Sequence, residues 1–349
     1  MRDLFGPEGA TGEVHTTQRG LRTGIFYASY KTPHVASVLY LQDFSSLTEL
    51  FELTQKTPAD TVGGTLEEGG FRGPFDGQAV LRGSHELTLS DAFLAVAPDR
   101  YPAPNELAGQ YLDLLADVYL ALERPPTTYH DWPDRARRTM RDLCLSRSCT
   151  YERDGQRYVM PYVGDRSKPP ESMVQLTVLV NSVEYESWRG SRGPLSAELL
   201  GGFEKFYDSK MGSVVRWLPG ESFGEQSEEH MDHESMDSWY LYHSLFNVSR
   251  LATLGNRAAR AILQKSLAFA VRVARRFDYR WPIFFNLRTL EIVRAESTPG
   301  KGGERDVAGL YALVMLHAHE LFGEIEHLEE AKRAAAAMRG LGFKLAYQT

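Results

Sequence analysis

Carboxylates are concentrated between Pro219 and Ser235, a stretch with six acidic residues and no Lys or Arg: Glu221, Glu225, Glu228, Glu229, Asp232 and Glu234. Two carboxyl groups, one kept protonated by low-dielectric surroundings and one ionised, perform general acid–base chemistry such as the cleavage of a glycosidic bond. We take Glu221 and Glu225 as candidate catalytic groups. A solvated acidic loop without a catalytic role explains the same composition equally well.

Two further aspartates, Asp237 and Asp306, each precede a helical stretch that carries aromatic side chains. Placed at the rim of a sugar site, they are candidates for general acid, general base or ligand of sugar hydroxyls. The alternative is that each only caps its helix, a position for which Asp is well suited. Both interpretations stay open at the level of sequence.

Aromatic rings bury the C–H faces of sugars, and arginine holds a carboxylate through a bidentate fork. The candidate substrate-binding residues are therefore aromatic, basic or imidazole side chains near the carboxylates: Tyr158, Tyr162, Trp239, Tyr240, Trp281, Arg288, Arg305 and His233. Arg157 and Arg166 could serve as further carboxylate ligands, although surface ion pairs explain these arginines as well. The stretch from His230 to Glu234 lacks the spacing of a zincin helix, and we predict neither a metal nor a cofactor.

Paired helical stretches repeat along the chain from residue 105 to 340, and these helices must position the candidate residues. Short gaps lie near 124–132, 189–194, 255 and 323–325, and long gaps cover about 149–170, 218–235 and 279–304. In antiparallel hairpins, the connection within a pair and the connection between pairs lie at opposite ends. All three long loops should therefore share one face, which should carry the function.

The predicted boundaries divide the chain into a β-rich part, residues 1–100, and a helical part, residues 101–349. Strand-like runs with period two occur at Gly24–Tyr30, Ala36–Gln42, Ala79–Leu81 and Glu86–Leu89. A short helix after Ser45 or Ser46 interrupts them, which predicts a β-sandwich-like or sheet-plus-helix domain. The proline-containing stretch Ala97–Asn105 forms its boundary.

Four helical pairs are predicted, at about 105–122 with 133–148, 171–188 with 195–217, 236–254 with 256–277, and 305–322 with 326–340. Gly255 and Gly323 separate the helices of the last two pairs. The Asp154-Gly155 turn predicts a β-hairpin in the first long gap. For Tyr279–Glu296 we favour a hairpin over a short helix, because β-branched and aromatic residues dominate it.

Composition excludes some classes of function. The net charge of −7 and the pI near 5.9 argue against a nucleic-acid-binding protein. No run of 18 apolar residues could span a membrane, and the N-terminus lacks the pattern of a secretory signal. We expect a cytoplasmic protein, with an exported mature form as the alternative.

Repeated helical hairpins after a β-rich domain resemble the six-hairpin glycosidase-like superfamily of (α/α) toroids. The resemblance is carried by Met236–His243 and Arg305–Ala312, which open two helices, and by Leu321–Ala331 at a hairpin tip. It implies a mainly α fold, an (α/α) toroid or partial toroid. Six pairs are typical and four are found, so the chain is a shortened arc, the four-pair variant of some epimerases or part of a longer polypeptide. An open arc should self-associate or lack a C-terminal segment.

The resemblance also implies a carbohydrate-active enzyme acting on an oligosaccharide, with or without uronate units. Our first hypothesis is a glycoside hydrolase in which Asp237, Asp306 and one of Glu221 or Glu225 are the acid and base groups. A second hypothesis is a sugar epimerase or polysaccharide lyase, in which Tyr158, Tyr162 or His233 transfers the proton next to a carboxylate. A third is a non-catalytic carbohydrate-binding or scaffold protein.

Overall fold

The computed structural model describes residues 11–17, 24–32, 34–41, 48–55, 92–98, 102–103, 106–124, 126–191, 193–218, 234–295, 304 and 306–339. The chain forms two compact units. The first unit comprises residues 1–127 and 340–349, and the second comprises residues 128–339. The candidate catalytic residues Glu221 and Glu225 lie outside the described residues, as do His233 and Arg305.

The first unit contains an antiparallel sheet of four strands in the order β1-β2-β3-β4. The strands are β1 (Thr11–Thr17), β2 (Gly24–Thr32), β3 (His34–Leu41) and β4 (Ala92–Pro98), and helix α1 (Thr48–Thr54) lies between β3 and β4 in the chain. The run at Gly24–Tyr30 and the described part of the run at Ala36–Gln42, which ends at Leu41, are thus strands, as predicted. Those at Ala79–Leu81 and Glu86–Leu89 lie outside the described residues.

Helix α2 (Leu107–Ala121) packs on this sheet. Its apolar side chains at helical spacing, Leu107, Leu114 and Val118, join Tyr27 in one buried cluster. The Tyr27 hydroxyl donates a hydrogen bond of 2.8 Å to Oε1 of Gln110. This helix, which we placed after a boundary at residue 100, therefore belongs to the same compact unit as the sheet, because burying its apolar stripe requires the sheet face.

The second unit begins with α3 (Trp132–Leu145), β5 (Thr150–Arg153) and β6 (Gln156–Val159). Three helical pairs follow: α4 (Ser172–Arg189) with α5 (Pro194–Phe203), α6 (Ser238–Thr253) with α7 (Arg257–Arg276), and α8 (Val307–Phe322) with α9 (Ile325–Ala337). Short strands β7 (Tyr207–Asp208), β8 (Ser213–Val214), β9 (Ser235–Asp237), β10 (Phe284–Asn286) and β11 (Ile292–Arg294) lie in the connections. The mainly α fold class with a β-rich N-terminal part is confirmed.

The predicted hairpins in the long gaps are both present. Strands β5 and β6 pair around Asp154 and Gly155, whose positive φ angles of 49° and 71° suit a two-residue turn. Strands β10 and β11 pair antiparallel, so the segment from Tyr279 is a hairpin and the last helical pair keeps its predicted direction. Gly255 (φ 88°) and Gly323 (φ 78°) end α6 and α8 in left-handed conformations.

The helices α4 and α6 run side by side in the same direction. Near their N-termini the hydroxyls of Ser172 and Ser244 are 2.9 Å apart. About one turn further along both helices, Nδ2 of Asn247 donates to Oγ1 of Thr177 at 3.1 Å. Because residue numbers rise together along the contact, α4 and α6 are parallel.

The same holds for α6 and α8. The ring of Tyr242 packs against Tyr311 at 5.5 Å, and further along Oγ of Ser249 lies 2.8 Å from Nδ1 of His317. The three N-termini therefore lie at one end of this row of helices. Within the described residues, the second unit contains three helical pairs, and α2 and α3 fall in different compact units.

Candidate active site

Four chain segments meet at the N-terminal end of α4, α6 and α8. Glu171 precedes α4 and forms an isolated antiparallel bridge with Trp217, and Ser172 N–H donates to the carbonyl of Arg216 at 2.8 Å. Asp237 precedes α6, and Asp306 precedes α8. The end of the helices that loop lengths predicted as the functional face thus collects acidic side chains from three helix starts.

Asp237 is held by a sheet and by a helix. Strand β9 pairs with β10, so that Asp237 lies opposite Phe284. Its Oδ1 accepts hydrogen bonds from the backbone N–H groups of Trp239 (2.7 Å) and Tyr240 (3.3 Å). The helix-cap interpretation is therefore correct for Asp237, but it is incomplete, because this carboxylate is only 3% exposed and is coupled to other charges.

Burial raises the pKa of Asp237 to about 6. The two backbone N–H bonds and the charge of Arg216 counteract this rise, whereas the charge of Asp306 adds to it. Asp306 is half-buried and occupies the N-cap position of α8 without a side-chain cap hydrogen bond. Its carboxylate thus influences Asp237 without being used to cap its own helix.

Glu171 and Arg216 form the second part of the site. Glu171 is 2% exposed, and its Oε1 lies 3.7 Å from Nε of Arg216. The guanidinium carbon of Arg216 lies 3.7 Å from the ring centroid of Tyr240 and 4.4 Å from that of Trp217. Burial raises the pKa of Glu171 to about 7, Arg216 opposes this rise, and Asp237 adds to it.

Glu304 completes the cluster. Only 1% of this residue is exposed, and among the described residues neither carboxyl oxygen has a hydrogen-bond partner. Burial raises its pKa to about 8, and the charges of Asp237 and Asp306 raise it further. A carboxyl group in this state is protonated at neutral pH and has a proton to donate.

Aromatic and imidazole side chains border the carboxyl cluster. The ring of Trp239 packs against Tyr240 at 5.3 Å and against His243 at 4.1 Å, and all three are half-buried. Burial lowers the pKa of His243, and the charge of Asp306 partly restores it. Tyr162 is 60% exposed and contributes to the raised pKa of Tyr240, which places it at the outer edge of the site.

Some predicted substrate-binding residues have structural positions instead. Tyr158 and Trp281 are each 2% exposed. Tyr158 packs on Phe206 and Tyr151, and Trp281 packs on three tyrosines of the core. Core side chains therefore pack against both rings, and a role of Tyr158 or Trp281 in substrate binding stays a prediction. Arg288 is exposed and donates to Glu234 through Nε at 2.9 Å.

Sequence reasoning missed Glu171, Arg216 and Glu304. Glu171 and Glu304 look like ordinary acidic residues before helices, and Arg216 lies after an unpredicted pair of two-residue strands. One signal was available for Glu304 and Asp306: two acids flank Arg305 directly at a helix start. The burial that gives these groups their properties depends on contacts between segments far apart in the chain.

Two cavities, of about 260 and 670 Å³, lie at the opposite end of α4, where both are lined by Glu186. The Ser196 hydroxyl donates to this carboxylate. We place the active site at the carboxyl cluster instead, because acid–base chemistry requires several interacting carboxyl groups. Within the described part of the chain, no three His, Cys, Asp or Glu side chains are arranged to hold a metal ion, and no helix is long and apolar enough to cross a membrane.

No protein-family model matches the chain, and no curated protein matches it by sequence. A GH76 alpha-mannanase from Bacteroides thetaiotaomicron is similar over 61% of this chain and 57% of its own, at 9% identity and a TM-score of 0.46. A D-mannose isomerase is similar over 63% and 55%, at 11% identity and a TM-score of 0.37. This chain spans less than two thirds of either, and neither likeness assigns it a family or an activity.

Proposed function

We propose that this chain is a carbohydrate-active enzyme, a glycoside hydrolase that cleaves an oligosaccharide at the cluster formed by Glu171, Asp237, Glu304 and Asp306. The observation that carries the proposal is Glu304, a fully buried carboxyl group without a hydrogen-bond partner among the described residues, coupled to two further carboxylates. Such a group is costly to bury, so a function is the simplest reason to keep it.

In this mechanism Glu304 is the general acid. It holds a proton at neutral pH and donates it to the oxygen of the leaving sugar as the glycosidic bond breaks. Asp237 is ionised at neutral pH, because its pKa lies near 6. It acts on the opposite side of the sugar ring, as the nucleophile or as the base that deprotonates water.

The remaining charged groups change the pKa values of these two carboxyls. Asp306 raises the pKa of both Glu304 and Asp237, and Arg216 lowers that of Asp237. Trp239 and Tyr240 offer aromatic surface next to the cluster. Glu221 and Glu225, which the sequence suggested as catalytic residues, stay predictions because they lie outside the described residues.

The test measures reducing ends released from a panel of oligosaccharides and aryl glycosides by the full chain and by Glu304→Gln and Asp237→Asn. We expect each substitution to lower the rate about 10²- to 10⁴-fold, the usual contribution of a general acid or base. The matched control is Glu186→Gln. Glu186 is also a buried glutamate of α4, but it lies at the other end of the helix from Glu171.

The proposal requires a specific pattern of results. Glu186→Gln should keep the wild-type rate, and all variants should show cooperative thermal unfolding, so that a lost rate reports chemistry. Wild-type rates in both Glu304→Gln and Asp237→Asn would refute the assigned roles. A wild-type chain that releases no reducing end from any member of the panel would refute the hydrolase.

A second candidate function, a sugar isomerase or epimerase, is favoured by one observation. His243 is half-buried beside Trp239, and its pKa is lowered, so a neutral imidazole is available to remove a proton from carbon. Such an enzyme would convert a monosaccharide without changing its mass and would incorporate deuterium from D2O. His243→Gln should abolish this exchange, whereas hydrolysis should depend mainly on Glu304.

A further inference from the structure

We infer that the sugar unit held by the cluster of Glu171, Asp237, Glu304 and Asp306 carries no carboxylate, so that the substrate is a neutral or amino sugar and not a uronate. This inference rests on the proposed function. It also decides between the two substrate classes that the sequence left open, oligosaccharides with and without uronate units.

The cluster contains more carboxyl groups than guanidinium groups. Four carboxyl groups from three helix starts meet one described guanidinium, that of Arg216. Arg305 lies between Glu304 and Asp306 in sequence, and its side chain is outside the described residues. Even with Arg305 included, carboxyls outnumber guanidiniums by four to two. Burial and the charges of Asp237 and Asp306 already keep Glu304 protonated at neutral pH, and a carboxylate on the substrate would meet the same burial and the same repulsion.

Arg216 is the described guanidinium that contacts the cluster. Its Nε faces Glu171 at 3.7 Å, and its guanidinium carbon lies 3.7 Å from the ring centroid of Tyr240 and 4.4 Å from that of Trp217. The charge of Arg216 also lowers the pKa of Asp237. Glu171 thus lies within ion-pair distance of this guanidinium and two aromatic rings pack against it, so it is not set out as an open fork for a substrate carboxylate.

The other described arginines that the sequence suggested as carboxylate ligands bind groups of the protein. Arg157 pairs with Glu198 at 2.9 Å and donates to the carbonyl of Cys144. Arg166 donates to the carbonyl of Arg147, and Arg288 pairs with Glu234. Each of the three is bound to a group of the protein itself. None of these three arginines is thus set out as the cation that a buried uronate requires.

The test compares sugars that differ only in a carboxylate at C6: D-glucose with D-glucuronate, D-mannose with D-mannuronate, and D-galactose with D-galacturonate. Affinities are measured by calorimetry and by tryptophan fluorescence, because Trp239 and Trp217 lie at the site. We expect the best neutral sugar to bind at least about tenfold more tightly than its uronate, as repulsion between nearby like charges in a partly buried site predicts. Rates with aryl glycosides of the neutral sugars should exceed those with the uronides.

A charge-removing variant identifies the cause of the preference. Asp306→Asn should narrow the difference between neutral sugar and uronate, whereas Glu186→Gln at the other end of α4 should leave it unchanged. A preference that Asp306→Asn leaves unchanged would overturn the electrostatic cause, and equal or tighter binding of the uronates would overturn the inference itself. So would the absence of measurable binding for all six sugars.

The two proposals fail in different ways. Binding of neutral sugars without release of any reducing end would support the neutral-substrate inference and refute the hydrolase. Hydrolysis of aryl uronides in preference to neutral glycosides would support the hydrolase and refute the inference.

Discussion

The backbone N–H of Glu304 donates a hydrogen bond of 3.0 Å to the carbonyl oxygen of Trp281. The indole of Trp281 packs against Tyr242, Tyr279 and Tyr311 in the core of the second unit. The segment that carries the proposed general acid is therefore fixed to the aromatic core rather than to the surface. A residue that sequence suggested as a sugar platform instead helps to position the acid.

The pH dependence of the rate should be bell-shaped. Asp237 must be ionised, so activity should fall as the pH drops below about 6, and Glu304 must be protonated, so activity should fall as the pH rises above about 8. The optimum should thus lie near neutrality. Measurement of kcat/KM across this pH range tests the predicted optimum.

A variant tests which group sets the alkaline limb of this profile. Glu304→Gln should retain a small residual rate that no longer falls above pH 8, because the titrating acid is absent. A residual rate with the same alkaline limb would show that another group causes it. Because the carboxyls interact, the limbs report the cluster rather than isolated residues.

Stability should fall as the pH rises through the same interval. The folded chain keeps the Glu304 proton up to about pH 8, whereas an unfolded chain releases it near 4.5. Between these values the folded state binds more protons, so the free energy of unfolding decreases with pH. Glu171 and Asp237, whose pKa values are also raised, act in the same direction.

Removing the titratable carboxyl of Glu304 should remove part of this dependence of stability on pH. Thermal unfolding of wild type and Glu304→Gln at pH 5 and pH 8 should show a smaller loss of Tm in the variant. Each kcal/mol of difference corresponds to roughly 2–4 °C for a unit of this size. A variant that loses as much Tm as wild type would mean that Glu304 is already ionised at neutral pH.

The direction of the helices was predictable because it depends on local signals. Gly255 and Gly323 mark the short connections within two helical pairs. The long gaps mark the connections between pairs, which lie at the opposite end of the helices. The prediction that Asp237 and Asp306 lie at the same end followed from this rule alone. It holds because chain reversal leaves no other arrangement for antiparallel neighbours.

The remaining parts of the site depend on contacts that no local pattern encodes. Glu171 meets Trp217 through a bridge between distant segments, and that bridge brings Arg216 to the cluster. Trp281 also depends on such contacts. It is a candidate substrate-binding residue because it lies in a long gap, and the structure places its ring in the core, where most large rings are found.

Removing the charge of Arg216 should move the acidic limb of the rate profile to higher pH. Its guanidinium lowers the pKa of both Glu171 and Asp237, so Arg216→Met should raise both values. The loss of the buried ion pair and ring contacts should also lower stability by about 1–3 kcal/mol. Arg216→Lys is the matched control, because it keeps the charge and should leave the limb in place. An unshifted limb in Arg216→Met would exclude this electrostatic role.

Glu330 offers a comparison with Glu304, since each is only 1% exposed. The carboxylate of Glu330 accepts hydrogen bonds from the hydroxyls of Tyr311 (2.7 Å) and Tyr279 (2.9 Å), and from Arg275 and Arg333. Burial alone would raise its pKa, but these donors outweigh burial and lower it. The stability that Glu330 contributes is therefore present above the carboxyl pKa of an unfolded chain and is lost as the pH falls.

Glu330→Gln and Glu304→Gln should consequently have opposite effects. At neutral pH, Glu330→Gln should lower the free energy of unfolding by about 1–3 kcal/mol, because four donors lose a charged acceptor. Glu304→Gln should leave it unchanged or raise it, since the carboxyl it replaces has no hydrogen-bond partner among the described residues. Urea unfolding of both variants measures the difference. Equal destabilisation by the two substitutions would show that Glu304 is held by bonds of its own, and the reason for assigning it a catalytic role would disappear.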